Sequence, residues 1–226
     1  MEGSVVGGAP GETLGETLGE TADTARLEAF SDGVFAVAIT LLALDLHVPD
    51  PATLPHGPHG GLVPVLLGQW PVYLAYGLSF LTILIMWINH HNLFRLIRRT
   101  DHLFLLLNGL LLLSVTTVPF ATSLLATYLL QPDKRAAQVV YSAVSLAMAI
   151  AFNRMWAYAS RDRRLLGPDA DERMVRGVTR AYRFGPLIYT VTVVLALLSA
   201  EASLALCILL ALFFALPRRV RRGGGP

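Results

Sequence analysis

Six long apolar runs, separated by short polar segments, occupy most of this 226-residue chain. An apolar run of about 18 or more residues with few charges predicts a helix that spans the bilayer. The alternating pattern typical of strands is absent, so helices are predicted throughout. We therefore predict an all-α polytopic membrane protein with six transmembrane helices, over 27–48, 70–94, 103–130, 137–158, 182–198 and 202–216.

The composition supports a membrane domain. Hydrophobic residues make up 54% of the chain and charged residues 15%, whereas soluble domains are about 25% charged. Mean hydropathy is +0.55. The net charge of +2 is too small to favour nucleic-acid binding. These values predict the lipid bilayer, and no nucleic acid, as the surroundings of the protein.

The two ends of the chain differ in composition from the apolar runs. Residues 1–25 are rich in glycine and acid, and the tetrapeptide at 11–14 is repeated at 15–18, which predicts a disordered N-terminal tail. Residues 26–217 form the predicted six-helix membrane domain. Residues 218–226 are basic and predict a short C-terminal tail.

The distribution of arginine predicts the orientation in the membrane. Cytoplasmic loops carry an excess of basic residues, and with six spans the arginine-rich segments all lie on one side. Only Lys134 and Arg135 lie in the opposite loops. Both termini are therefore predicted to be cytoplasmic, in a multi-pass protein of the cell membrane. The basic residues on the cytoplasmic side are Arg95, Arg98, Arg99, Arg161, Arg163, Arg164, Arg173, Arg176, Arg180, Arg218, Arg219, Arg221 and Arg222.

Polar residues of the first three spans are predicted to share one depth near the cytoplasmic surface. Ionisable groups within spans cost several kcal/mol unless they are paired or hydrated. Two interpretations remain open for Asp32 and His90: a lock of interhelical hydrogen bonds that fixes packing, or a direct role in ion passage or proton sensing, for which His90 has a suitable ordinary pKa. The layer contains Arg26, Glu28, Ser31, Asp32, Trp87, Asn89, His90, His91, Asn92 and Asn108.

A metal site is not favoured in this layer. Neighbouring residues on a helix point about 100° apart, so His90 and His91 would not readily chelate one ion together with Asp32. His56 and His59 lie in a loop rich in proline and glycine, which is more typical of a solvated loop. We predict no bound metal and no cofactor.

The first span carries one stripe with a distinct chemistry. On a helix with about 100° per residue, Gly33, Val37, Thr40, Leu41 and Leu44 share a face, and Phe35, Ile39, Leu42 and Leu46 form the opposite one. If several copies met around an axis, the first face would line a narrow pore, in which hydroxyl oxygens replace part of an ion's water shell. Ordinary helix packing also produces such a stripe.

Known catalytic and channel motifs are missing from the sequence. There is no TVGYG-like filter loop, no P-loop, no HExxH and no nucleophile elbow. The sequence therefore predicts neither an enzyme nor a conventional potassium channel.

Three segments carry a resemblance to a known family. Residues 26–32 read RLEAFSD, residues 87–90 read WINH and residues 118–122 read VPFAT. The RxxxFSD and WxxH patterns resemble the signature of the transmembrane protein 175 family, which includes the endosomal and lysosomal potassium channel of animals and its prokaryotic relatives. These segments cover about the first 125 residues, and the chain shows no internal duplication, as in the prokaryotic members.

The resemblance implies an architecture and roles for particular residues. It implies a homotetramer with a potassium pathway lined by the first helix of each subunit. Val37 would be the narrowest hydrophobic ring, followed by Leu41 and Leu44, and Thr40 would be a hydroxyl ring linked to potassium selectivity. The implied polar lock consists of Arg26, Ser31, Asp32, Trp87 and His90.

Three functions follow as hypotheses. The first is a potassium-selective channel subunit without a filter loop. The alternative is a proton-coupled secondary transporter or a proton leak pathway, because Asp32 and His90 are able to exchange protons. The third is a membrane enzyme or scaffold, which the missing catalytic motifs disfavour.

Overall fold

The structure is a computed structural model that describes residues 10–55, 60–167 and 170–216, without the side chains of 10–22, 53, 174 and 181. Within these ranges the chain forms eight α-helices and no strand. Short 3-10 helices follow α1 at Ala43–Asp45, lie in the loop between α1 and α2 at Pro51–Thr53, and follow α5 at Arg161–Arg163. The α-helices are α1 (Pro10–Leu42), α2 (Leu62–Gly68), α3 (Trp70–Phe94), α4 (His102–Tyr128), α5 (Lys134–Ser160), α6 (Glu172–Arg183), α7 (Gly185–Leu198) and α8 (Ala200–Ala215).

Five helical stretches among the described residues are long and apolar enough to cross a membrane. The prediction of an all-α polytopic membrane protein is thereby confirmed. The count of six stays a prediction, because α8 is apolar but has only 16 residues, a rise of about 24 Å. The five stretches are 23–45, 70–94, 102–128, 134–163 and 175–198.

Two boundaries differ from the predicted ones. Helix α1 begins at Pro10, within the segment predicted as a disordered tail, and proline is well tolerated at a first helical position. The fifth predicted span, 182–198, lies within a longer helical region that begins at Glu172. This region is broken at Phe184, between α6 and α7. Pro186 explains the break, because it has no N–H for an intrahelical bond. Residues 1–9 and the C-terminal tail 218–226 lie outside the described residues.

Helix packing divides the molecule into two connected halves. Helices α1, α3 and α4 pack against one another, and α5 joins this group to α7 and α8. The main core runs between α1, α3, α4 and α5 and includes Phe35, Ile83, Leu111 and Met148, all almost fully buried. Helix α8 also packs on α3, so the second half closes on the first.

Two arginine-rich loops meet at one end of the bundle. Ile97, after α3, forms an antiparallel bridge with Leu166, after α5. The N–H of Gly167 donates to the carbonyl of Leu96 at 3.1 Å, and the N–H of Arg98 donates to that of Leu165 at 2.9 Å. Both loops therefore lie on the same side of the membrane, as the arginine pattern requires.

Asp101 connects this loop pair to the start of α4. Its carboxylate accepts from the N–H of Phe104 at 2.9 Å, which caps the helix, and from the hydroxyl of Tyr158. Arg164 lies 3.5 Å away and its guanidinium stands over the Tyr158 ring. Partial burial opposes ionisation, but these donors and the arginine outweigh it and hold the pKa of Asp101 below its ordinary value.

We expect Asp101→Ala to lower stability by about 1 kcal/mol, the usual cost of losing an N-cap. Because the folded-state pKa is lowered, ionised Asp101 stabilises the fold above its ordinary pKa. This contribution is lost as pH falls through the lowered value. Thermal unfolding in detergent between pH 3 and 7 would measure both effects. Asp133→Ala is the matched control, since Asp133 precedes α5 without a side-chain cap bond; equal losses in both variants would contradict this role.

Candidate functional site

A buried amide on α4 joins α1 and α3. The Nδ2 of Asn108 donates to Ser31 Oγ at 2.9 Å, and its Oδ1 lies 3.0 Å from His90 Nε2. Ser31 donates in turn to the carbonyl of Leu27, one turn earlier on α1, at 2.8 Å. All three polar side chains are buried. One asparagine therefore satisfies a hydroxyl on one helix and an imidazole on another.

The imidazole of His90 is enclosed on all sides. It stacks on Phe94 with ring centroids 4.4 Å apart and lies 5.3 Å from the ring of Phe35. Its exposed fraction is 0%. Its second nitrogen, Nδ1, is buried and has no hydrogen-bond partner among the described residues. His90 is therefore anchored at one nitrogen and sealed by aromatic rings.

A second set of contacts joins α1 to α3 at the same depth. The indole of Trp87 donates to Asp32 Oδ1 at 2.9 Å, and the Trp87 ring stacks on His91 at 6.0 Å. His91 Nδ1 lies 3.0 Å from Glu28 Oε1 on a partly exposed surface. Two residues of α1 thus hold two residues of α3, Asp32 with Trp87 partly buried and Glu28 with His91 nearer the surface.

The structure brings together most of the predicted lock. Ser31, Asp32, Trp87 and His90 lie in one layer, whereas Arg26 is exposed and takes no part in the described hydrogen bonds of the layer. Arg26 follows from the family resemblance alone, without a contact here to support it.

Several partners in the layer were not assigned to the lock from the sequence. Asn108 was placed at this depth but given no role, and its position within an apolar run was the available signal. The layer also reaches α5 and α6, because the Tyr182 hydroxyl donates to Asn89 Oδ1 at 2.9 Å and Asn153 donates to the Tyr182 carbonyl at 3.0 Å. No pattern in the sequence pairs these residues.

The predicted stripe, which runs along α1 and ends at Leu44 in the 3-10 helix after it, points away from the rest of the chain. Gly33, Val37, Thr40, Leu41 and Leu44 are all exposed, with Val37 at 56% and Leu44 at 70%. On the opposite face Phe35 and Leu42 are buried, and so is Ala38 between them. Two residues predicted for that face fit it less well: Ile39 is only partly buried, and Leu46 lies beyond the helix and is exposed.

Thr40 is the hydroxyl in this apolar stripe. It donates to the carbonyl of Val37, three residues earlier, at 2.9 Å. This bond uses the hydroxyl proton and leaves lone pairs of the oxygen available to an approaching cation. Beyond Thr40 the helix ends, and Ser123 of α4 donates to Asp45 Oδ1 at 3.0 Å. The stripe therefore presents one oxygen ligand among aliphatic side chains.

Ligand sets for a metal are not assembled in the part of the chain that the structure describes. No group of three His, Cys, Asp or Glu residues there is arranged to hold an ion. His56 and His59, considered in the outer loop, lie outside the described residues.

The fold, the polar layer and the exposed stripe of α1 define a polytopic α-helical membrane protein with one helix face directed away from the rest of the chain. The family described as endosomal/lysosomal potassium channel TMEM175 matches residues 26–119. A potassium channel of Chamaesiphon minutus is 50% identical over 195 residues, which cover 86% of this chain and 95% of that protein. The chain belongs to the TMEM175 family.

A solved structure and a more distant relative complete the comparison. The crystal structure of a lysosomal potassium-selective channel TMEM175 homolog from Chamaesiphon minutus matches with a TM-score of 0.75 and 47% identity, over 86% of this chain and 97% of that one. The human endosomal/lysosomal proton channel TMEM175 is 38% identical over 138 residues, which are 59% of this chain but 27% of the human protein.

We expect Asn108→Ala to destabilise the protein, because Ser31 and His90 would both lose a buried partner. Leaving a buried polar group unsatisfied costs about 1–3 kcal/mol. The melting temperature and the oligomer profile in detergent would report the loss. Thr116→Ala is the control, since Thr116 is exposed on the same helix and bonds only its own backbone. A normal melt for Asn108→Ala would contradict the packing role of the layer.

Proposed function

We propose that this chain is the subunit of a potassium-selective channel of the cell membrane, with a pore lined by the first helix. The observation that carries the proposal is the exposed face of α1, which is aliphatic except for one hydroxyl. The 50% identical relative, described as a potassium channel, supports the choice of ion. The potassium-selective description of the matching crystal structure supports it as well.

The pore requires several copies of the chain. One α1 helix contributes a single stripe, which cannot enclose an axis, and closed cyclic symmetry is the usual way in which identical subunits do so. We therefore propose a homo-oligomer, and a tetramer by the family resemblance. The polar layer then holds α1 against α3 and α4 behind the stripe, so that every subunit presents the same face.

Different residues of the stripe set the barrier to ion flow and the selectivity for potassium. Val37, Leu41 and Leu44 supply no ligands, and narrow rings of aliphatic side chains impede ions by excluding water. Thr40 supplies a hydroxyl oxygen that replaces part of the hydration shell. Partial dehydration costs less free energy for a potassium ion than for a sodium ion, so a hydroxyl ring favours potassium.

We expect Thr40→Ala to lower the potassium-to-sodium permeability ratio by removing that oxygen. Each tenfold change in the ratio corresponds to about 1.4 kcal/mol of barrier difference, so a modest loss of ligation is measurable. Reversal potentials under bi-ionic conditions in reconstituted bilayers would report it.

The control for this measurement is Thr190→Ala. Thr190 is also exposed and also donates to its own helix, to the carbonyl of Pro186 at 2.8 Å, but it lies on α7. The potassium-to-sodium permeability ratio of Thr190→Ala should match that of the wild-type protein. An unchanged ratio in Thr40→Ala, with current still flowing, would exclude Thr40 from the selectivity mechanism.

A proton pathway is the second candidate. Two observations favour it: the human relative is described as a proton channel, and His90 has a buried nitrogen without a partner among the described residues. The same bilayer recordings separate the candidates when a pH gradient is imposed at equal potassium concentrations. A reversal potential that follows the pH gradient would replace potassium by the proton as the conducted ion.

The orientation is part of the proposal, with both termini in the cytoplasm. It is supported by the bridge between the loops after α3 and α5, which brings their arginines to one end. In a Cys207→Ser background, Ala52→Cys should react with an impermeant thiol reagent in intact cells. Arg161→Cys should react only after permeabilisation, and the reverse result would invert the topology.

A further inference from the structure

Helix α6 carries four arginines on one face. They follow one another at intervals of three and four residues, and all of them are exposed. The opposite face, with Val175, Val178 and Tyr182, packs on the core. Arg176 alone of the four has an acidic partner among the described residues, Glu172 at 2.9 Å. The four are Arg173, Arg176, Arg180 and Arg183.

The uncharged stretch of helix α5 indicates where the hydrocarbon core of the membrane lies beside this face. Its residues 136–153 carry no charge, and Arg135 and Arg154 bound them. Eighteen residues of helix rise about 27 Å, close to the roughly 30 Å of a hydrocarbon core. Lys134 pairs with Glu201 at the outer end. Arg154, exposed at the inner end, therefore marks the inner edge of the hydrocarbon.

Two hydrogen bonds between α5 and α6 show which residues of α6 lie at the depth of Arg154. Asn153 donates to the carbonyl of Tyr182 at 3.0 Å, and the indole of Trp156 donates to Thr179 Oγ1 at 3.0 Å. Helix α6 therefore runs antiparallel to the end of α5, with residue 181 level with Arg154 and with Arg180 and Arg183 within about 3 Å of that level along the axis. The exposed surface changes at the same place, because Phe184 and Leu187 follow as exposed apolar side chains.

This geometry separates the four arginines by depth. Arg180 lies about 4.5 Å from Arg183 along the axis, within the headgroup layer, which is about 5–7 Å thick on each side. Arg176 and Arg173 lie about 10 and 15 Å from Arg183, in the aqueous region. A general excess of basic residues in cytoplasmic loops would not distinguish the two pairs.

We propose that Arg180 and Arg183, with Arg154 at the same level, form a binding site for the headgroup phosphate of an anionic phospholipid. A guanidinium forms paired hydrogen bonds to phosphate oxygens. The apolar surface of Phe184 and Leu187 continues directly from the site toward the bilayer interior, where the acyl chains lie. That continuity favours a phospholipid over a free anion. The site needs membrane insertion but not ion conduction, and its place in the cytoplasmic leaflet rests on the proposed orientation.

Native mass spectrometry of the purified protein, titrated with phosphatidylglycerol or phosphatidylcholine, tests the site. Replacing both arginines by glutamine, R180Q with R183Q, should weaken phosphatidylglycerol binding roughly thirtyfold, which corresponds to about 1 kcal/mol for each arginine near a membrane surface. Phosphatidylcholine binding should change little. R173Q with R176Q removes the same charge from the same helix face and should leave the affinity within about threefold.

A third variant, R154Q, tests the site from a different helix, because Arg154 lies on α5. It should also weaken phosphatidylglycerol binding. All variants should have the melting temperature of the wild type, which would show that they are folded. Equal losses in the two double variants would overturn the site in favour of general charge attraction. Unchanged binding in R180Q/R183Q, or displacement of the lipid by millimolar inorganic phosphate, would overturn it as well.

Discussion

The hydrogen bonds of Asn108 determine how the first helix is oriented. Polar groups inside a bilayer need partners within the protein, and Ser31 finds its partner on α4. Burying Ser31 also buries Phe35, Ala38 and Leu42, which lie within about 40° of it around the helix. Thr40 lies about 180° from Ser31 on the same wheel, so the bond that hides the serine directs the threonine outward. The polar layer and the exposed stripe are thus two consequences of one contact.

The same constraint operates at two other places in the bundle. Ser79, Thr122 and Tyr141 are hydrogen-bonded between α3, α4 and α5. Gln138 donates to Ser203 at 3.0 Å, which donates to the carbonyl of Thr192 at 2.8 Å, so that α5, α7 and α8 are joined. Both groups are buried. Because these polar side chains are bonded between helices of the same chain, they do not add to its polar outer surface.

The sequence predicted what depends on periodicity and charge, and it missed what depends on side-chain pairing. The α1 stripe follows from about 100° per residue, and the shared depth of Ser31, His90 and Asn108 follows from the arginine loops. Asn89 and Asn153 are both hydrogen-bonded to Tyr182. The position of Tyr182 depends on the helix break beside Pro186. The helical start of α1 at Pro10 lies in a segment whose composition is typical of disorder, so composition alone gives no signal for it.

The segment from Ser31 to Asp45, which carries the exposed stripe, is held by polar contacts at each of its ends. The inner anchor is Ser31 with Asp32, and the outer anchor is the bond from Ser123 to Asp45, about 21 Å along the axis from Ser31. In the proposed pore, Val37 and Thr40 lie between these anchors. Bending or sliding that stretch would strain the hydrogen bonds of both anchors. In the proposed pore, the barrier to ions is the dehydration that the aliphatic side chains impose, and the two anchors hold Val37 and Thr40 at a fixed depth.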